Sequence, residues 1–240
     1  FNTSFLRRRL LYSFDKMLVH KASEIDAVLA DKQKTDALLY HMLVAGTEMF
    51  RDPGFWRSLN KQLSSRKGTQ IRIWLPELTN CYELYSLVIF LESNGYDAVI
   101  TVNSSSQKVI DEVKSLQIPI ATDELNRSNF ERTEFNTNYS DYVEINEEKT
   151  QATLRYGMLS KVTFKNRWFM NELPGKYDLI IMRNVLLAYN KPLHERAVGV
   201  LVGSLDSKGL LALGIKELPL LKTTMFSAID ATESIYGRMN

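Results

Sequence analysis

Residues 71–91, IRIWLPELTNCYELYSLVIFL, read as strand, tight turn and helix, and the turn carries side chains where a nucleotide-type cofactor fold places glycines. Glu77, Thr79, Asn80, Cys81 and Tyr82 fill that stretch. Glycine accepts positive φ without steric cost and lets a cofactor approach the main chain closely. Its absence raises the question of whether this turn still receives a cofactor. Arg51 and Asp52, within TEMFRDPGFW, form a second candidate group. A guanidinium can hold and orient a carboxylate through two parallel bonds. The plainer alternative is a surface cap formed by Arg51 and Asp52.

Spacing argues against several other chemistries. His20, His41 and His194 are far apart, with no HExxH and no cysteine pair, so solvated or core-edge imidazoles are expected and no metal site. GxxxxGK[ST] and GxSxG are absent, which argues against P-loop phosphate chemistry and an α/β-hydrolase nucleophile. The glycine-poor turn also argues against a dinucleotide fingerprint. The single cysteine, Cys81, precludes an internal disulfide and fits a reducing, cytoplasmic setting. No apolar run approaches the roughly 18 residues that span a bilayer, so membrane insertion is not expected. No signal peptide is visible, and a chain beginning at Phe1 leaves its native N-terminus unidentified.

With 240 residues, 45% of them hydrophobic and 24% charged, the chain can bury a sizeable core. The net charge of +2 is unevenly spread. Through Lys67 there are 12 Lys and Arg against 7 Asp and Glu, and beyond it 18 against 21. A basic N-terminal third on a slightly acidic body predicts a localised acidic partner surface and no general nucleic-acid binding.

Two kinds of sequence must position the candidate residues. Residues 1–66 are helical in pattern and form an N-terminal helical domain. Phe5, Leu6, Leu10 and Phe14 share one helical face, with Arg7, Arg8 and Arg9 largely on the others. Ser23 and Asp26 resemble a capping box opening a second helix, and a third runs from about Thr35 through Ala45. A further helix ends near Leu63, and SSRKGTQ reads as a polar linker. In residues 67–240 strands and helices alternate: IRIW, ELYSLVIFLES, AVITV, SQKVIDEVKSL, then YDLIIMRNVLL, HERAVGVLVGSL and GLLALGI after a Lys208-Gly209 turn. Residues 123–163, with DYVEI and ATLRY, read as a small β insert. Such alternation predicts an α/β fold with a parallel sheet covered on both faces.

SFLRRRLLY, TEMFRDPGFW, RIW…ELYSL, YDLIIMRNVLLAYN and KGLLALGIKE, in that order and spacing, resemble the CheR-type chemotaxis-receptor methyltransferases. The resemblance runs from about Ser4 to Arg238. It implies a helical domain followed by a Rossmann-like domain that binds S-adenosylmethionine, interrupted by a small β-subdomain. It also implies methyl transfer to glutamate side chains on receptor helices.

Carried over by position, the resemblance assigns Thr47 and Arg51 of TEMFRDP to the cofactor's surroundings, with Arg51 by its methyl end. Glu83, Arg183 and Asn184 match further cofactor positions. Asn103 stands where an acidic residue accepts bonds from the ribose hydroxyls, and an amide there loses charge-assisted strength. The family tyrosine near the reacting centre is replaced by Ala188. Tyr189, the next residue, would be turned by about 100° on a helix. Ala45 replaces a cofactor-binding asparagine. In the turn the family reads about S-A-G-C-S-T-G-E-E-P-Y-S, and both glycines are replaced, by Glu77 and Cys81. A β-carbon in a left-handed conformation costs roughly 1–2 kcal/mol, and Glu77 adds negative charge near the cofactor's carboxylate.

The resemblance also gives the basic helix a partner, the acidic helical region of a receptor or other signalling protein, met by Arg7, Arg8 and Arg9. The expected function is that of a CheR-type homologue with weakened or lost cofactor binding and a binding or regulatory role in signalling. The alternative is an active protein-glutamate O-methyltransferase with an atypical loop. A methyltransferase for another substrate is less favoured, since no [DNS]PP[YFW] motif is present.

Overall fold

The strand Ile71–Leu75 (β1) places Ile71, Ile73 and Leu75 on one face and Trp74 on the other, and all four are buried. A strand apolar on both faces needs cover on both, which is the situation at the centre of an α/β sheet. A computed structural model describes residues 1–171, 175–217 and 226–239 and shows that arrangement. β1 pairs in parallel with Ala98–Ser104 (β2) on one side and Tyr177–Met182 (β7) on the other. Val162–Asn166 (β6) extends the sheet beyond β2, and Leu205–Leu213 (β8) runs parallel to β7. Ile235–Arg238 (β10) and Phe226–Asp230 (β9) complete the far edge in antiparallel fashion. The order is therefore β6-β2-β1-β7-β8-β10-β9.

Helices cover both faces of the sheet and frame the site. Pro53–Leu63 (α4) and Cys81–Ser93 (α5) bury Phe55, Trp56, Leu84 and Phe90 against one face of the sheet. Gln107–Lys114 (α6) adds Val109 and Val113 to the same cluster. Lys191–Ser204 (α8) covers the opposite face, where Ala197 and Leu201 meet Trp74, Ile180 and Met182. Thr3–Lys16 (α1) and Lys32–Met42 (α3) pack together in the N-terminal part, joined by the short Ile25–Ala30 (α2). The expected capping box at Ser23 and Asp26 does not form. Instead, the Glu24 carboxylate accepts from the backbone N–H groups of His20 and Lys21.

The segment after α6 is more than a β insert. Gln117–Ile118 (β3), Val143–Ile145 (β4) and Ala152–Leu154 (β5) form a separate antiparallel sheet in the order β3-β5-β4. Between β3 and β4 lies a helix, Asp123–Glu131 (α7). Its buried Asn126 accepts from the Met49 N–H at 2.8 Å, and Asn129 donates to the Met49 carbonyl at 3.0 Å. These amides fix the segment leading to Arg51. The expected Lys208-Gly209 turn is likewise absent: β8 begins at Leu205 and passes through both residues, with a register shift against β7. Gly209 suits that shift, because a β-carbon there would lie 2.9 Å from the Tyr177 carbonyl.

Asp178, early in β7, anchors the N-terminal end of the sheet. Its carboxylate accepts from the Arg72 N–H at 2.9 Å, from Arg72 Nε at 3.0 Å and from Arg66 Nη1 at 3.0 Å. Burial opposes the charge, but the bonds and charges of Arg72 and Arg66 outweigh it and hold the carboxyl below the usual range. A carboxyl depressed on folding contributes stability above its unfolded pKa and loses it as pH falls through the folded one. Asp178→Ala is therefore expected to lower urea-unfolding stability by about 2–3 kcal/mol near neutral pH. The difference from the parent should narrow on acidification.

Candidate functional site

Strand order reverses between β1 and β7, and a crevice opens above the C-terminal ends of the strands at such a point. Here it forms a cavity of about 670 Å³, roofed by residues of α1 and of the α3 end such as Phe5, Leu39 and Met42. Its floor includes Glu77 and Thr79 after β1, Ser105 after β2, and Asn184, Ala188 and Tyr189 after β7. Arg8, Arg51, Asp52 and Lys216 contribute the remaining charges.

Glu77 dominates the floor. Its carboxylate accepts from the Ser105 N–H and from the Ser105 hydroxyl, both at 2.9 Å. The side chain thus runs from the end of β1 to the end of β2. Burial pushes its carboxyl up to about 7, against the pull of the two Ser105 bonds. The turn around it is unstrained: no residue from Leu75 to Glu83 has positive φ. The expected left-handed penalty at Glu77 and Cys81 does not arise. Cys81 begins α5, Asn80 caps that helix by accepting from the Tyr82 N–H, and burial raises the Cys81 thiol to about 12. The departure from a glycine turn is therefore one of side chains and not of left-handed backbone, with Glu77 bonded to Ser105.

Of the residues singled out from sequence, Arg51, Asn184 and Tyr189 line one cavity, together with Arg8. Arg51 is largely exposed, with its Nε 3.7 Å from Glu48 Oε1. Thr47 directs its hydroxyl to Glu48 and is not in the lining. Tyr189 follows a one-turn 3-10 segment, Leu186–Ala188, in extended conformation, so the helical rotation expected for it does not apply. Burial, reinforced by the Glu77 charge, raises its phenol.

Asn103 is placed elsewhere. It is wholly buried below the cavity floor, where its Oδ1 accepts from Trp74 Nε1 at 2.9 Å and its Nδ2 donates to the Arg167 carbonyl at 3.3 Å. Both polar atoms of that amide thus bond within the fold. Arg9 likewise does not join Arg7 and Arg8 at the surface. Its guanidinium donates to the carbonyls of His41, Met42 and Leu43 at the end of α3, where a cation complements the helix dipole.

Arg183 and Glu83 lie behind the cavity wall. Arg183, with its side chain 2% exposed, pairs with Asp52 and reaches Glu83 Oε1 at 3.4 Å. Its guanidinium stands 4.3 Å from the Phe55 ring centroid. Phe50 and Asp52 take positive φ beside it, a strained backbone held by the surrounding bonds.

Glu217, which the sequence reading passed over, secures the other wall. It is fully buried and accepts from the N–H groups of Asn184 at 2.9 Å, Leu186 at 2.6 Å and Gly214 at 2.6 Å. These bonds hold Asn184 at φ 64, and a β-carbon at Gly214 would lie 2.6 Å from Asn184 Oδ1. The signal was a lone acidic residue at the end of an apolar strand. Among the described residues no group of His, Cys, Asp and Glu is arranged to hold a metal ion. No helix among them is long and apolar enough to cross a membrane.

Residues 45–235 match the family model described as CheR methyltransferase, SAM binding domain. The chain belongs to the CheR methyltransferase family. S-adenosylmethionine is the family's cofactor. A Pseudomonas putida protein named "Putative methyltransferase Cher3" is 25% identical over 220 residues, 88% of this chain and 79% of that protein. Magnesium protoporphyrin IX methyltransferase from Synechocystis PCC 6803, solved with S-adenosylmethionine, is similar at TM-score 0.41 and 15% identity. That likeness covers 86% of this chain and 81% of that one. A Nostoc punctiforme PCC 73102 structure named "putative O-methyltransferase" matches at TM-score 0.39 and 10% identity, over 67% of this chain. This chain spans only 36% of that protein's length.

Two outcomes follow from the geometry of this CheR-family chain. Arg183→Ala leaves Asp52 and Glu83 without their shared cation, and is expected to lower stability by about 2–3 kcal/mol, with Lys recovering only part. For Glu77, a carboxyl raised on folding makes the native state bind more protons than the unfolded chain between its two pKa values. Stability should therefore fall as pH rises from about 4.5 to about 7. The fall should be about 3 kcal/mol, and Glu77→Gln should abolish it in chemical denaturation across that range.

Proposed function

We propose that this chain is a CheR-family protein with weakened or lost S-adenosylmethionine binding, acting as a binding or regulatory module in signalling. The observation that carries this reading is the Glu77–Ser105 bridge across the crevice. A Rossmann fold leaves that space to the ligand and turns backbone N–H groups toward it. Here it holds an acidic side chain with both oxygens engaged. The amide at the end of β2 is committed to Trp74, and the first turn of α5 is capped by Asn80. These residues do not fit the cofactor seated over the turn.

Arg7 and Arg8 supply the partner surface in this reading. Both are exposed on α1 and suit an acidic helical region of a receptor or other signalling protein. Binding to such a partner should weaken as salt rises, because exposed charges are screened within about 8–10 Å at ordinary ionic strength.

A second reading, an active protein-glutamate O-methyltransferase with an atypical loop, draws on Arg51, Asn184 and Tyr189 sharing one cavity. Arg51 would then hold the substrate carboxylate. Calorimetric titration with S-adenosylmethionine and S-adenosylhomocysteine separates the two. The first reading expects no micromolar binding of either, and such binding would sink it. Because the turn is unstrained, Glu77→Gly alone should recover measurable affinity, and adding Cys81→Gly should contribute nothing further.

A further inference from the structure

Glu77 is a charge without a counter-charge. Its bonds come from the Ser105 N–H and hydroxyl, and no Lys, Arg or His among the described residues pairs with it. Ionised carboxylates withdrawn from water are normally matched by a cation, since the desolvation penalty is otherwise uncompensated. Glu77, Tyr189 and Trp168 line the same cavity, and the Glu77 charge helps to raise the Tyr189 phenol. Aromatic faces next to a carboxylate favour a positively charged group. The rest of the lining is largely aliphatic or aromatic, from residues such as Phe5, Leu39, Met42 and Ile215. At about 670 Å³ the space is of the size that small-molecule sites occupy.

We infer that this cavity binds a small organic cation with an apolar body, its positive charge paired with Glu77. The inference rests on the reading that the cofactor no longer fills the crevice. The other charges of the lining do not oppose it. Asp52 is held by Arg183, and Arg51 faces Glu48. Arg8, Arg51 and Lys216 are exposed at the mouth, where water and salt screen them. An anionic ligand would be attracted at that rim but would have to meet Glu77 inside. Selectivity for charge therefore resides on the floor, and the apolar walls set affinity.

Protonation sharpens the prediction. With the Glu77 carboxyl near 7, a cation must displace its proton or find it already gone. The charged and titratable groups that share the cavity with it are Arg8, Arg51, Lys216, Asp52, Tyr189 and the amino group of Phe1. Between about pH 6 and pH 8 affinity for a cation should rise about tenfold.

The test is calorimetric titration of the whole chain with a matched series: 4-phenylbutylamine, 4-phenylbutanol and 4-phenylbutyrate. The amine is expected to bind about tenfold more tightly than the alcohol. It should tighten with pH and release a proton, read from buffers of different ionisation enthalpy, and the acid should be excluded. Glu77→Gln should erase the preference for the amine. The pH and proton-release measurements on the parent protein stand even if that variant does not fold. Equal binding of amine and alcohol, preferential binding of the acid, or no binding of any member at millimolar concentration overturns the inference. Titration with S-adenosylmethionine in the same buffers judges the closed-site reading separately.

Discussion

Arg183 carries a full positive charge to a position almost wholly withdrawn from water, at the end of β7, where carboxylates from two other segments meet it. Asp52 comes from the loop before α4 and Glu83 from the first turn of α5, while the Phe55 ring lies over the guanidinium. A buried ion of this kind fixes geometry more than it adds net stability, because no element can move without stranding a charge. The left-handed backbone at Phe50 and Asp52 persists under that constraint, helped by the Ser86 hydroxyl on the Phe50 N–H. Arg51 and Asn184, each one residue from a member of the cluster, reach the cavity from positions it sets.

Above this frame one side chain bridges two strand ends at the floor of the crevice. The turn between β1 and α5 is not deformed. Replacing glycine has instead delivered a carboxylate that reaches the adjacent strand end and binds Ser105. The fold around it is undisturbed, which is why the family's core segments and an altered crevice coexist in the same chain.

Much of the frame was legible because apolar runs leave little choice of architecture: DLIIM and GLLAL must lie inside a covered sheet. The altered turn was legible as a set of substitutions, but its mechanism was not. Strain at Glu77 was expected from residue type, whereas φ depends on the path that Leu78 takes when its N–H bonds the Asn103 carbonyl. Asn103 and Arg9 show the same limit. Their positions in the elements were readable, but the direction of each side chain was set by a partner remote in sequence, Trp74 in one case and the end of α3 in the other. Glu217 escaped notice since nothing local distinguishes an acid that caps a strand end from one at the surface. The α7 helix was hidden by polar composition, because its buried face is made of Asn126 and Asn129 as well as Phe130.

Asp36, on α3, accepts from the N–H groups of Gln107 and Lys108 and so caps α6, a helix belonging to the sheet portion. Ser106, the residue at the cap position, makes no such side-chain bond. The first turn of α6 consequently has its donors satisfied only while α3 is docked. Amide exchange at Gln107 and Lys108 thus reports the opening of the roof over the crevice from a helix that follows β2.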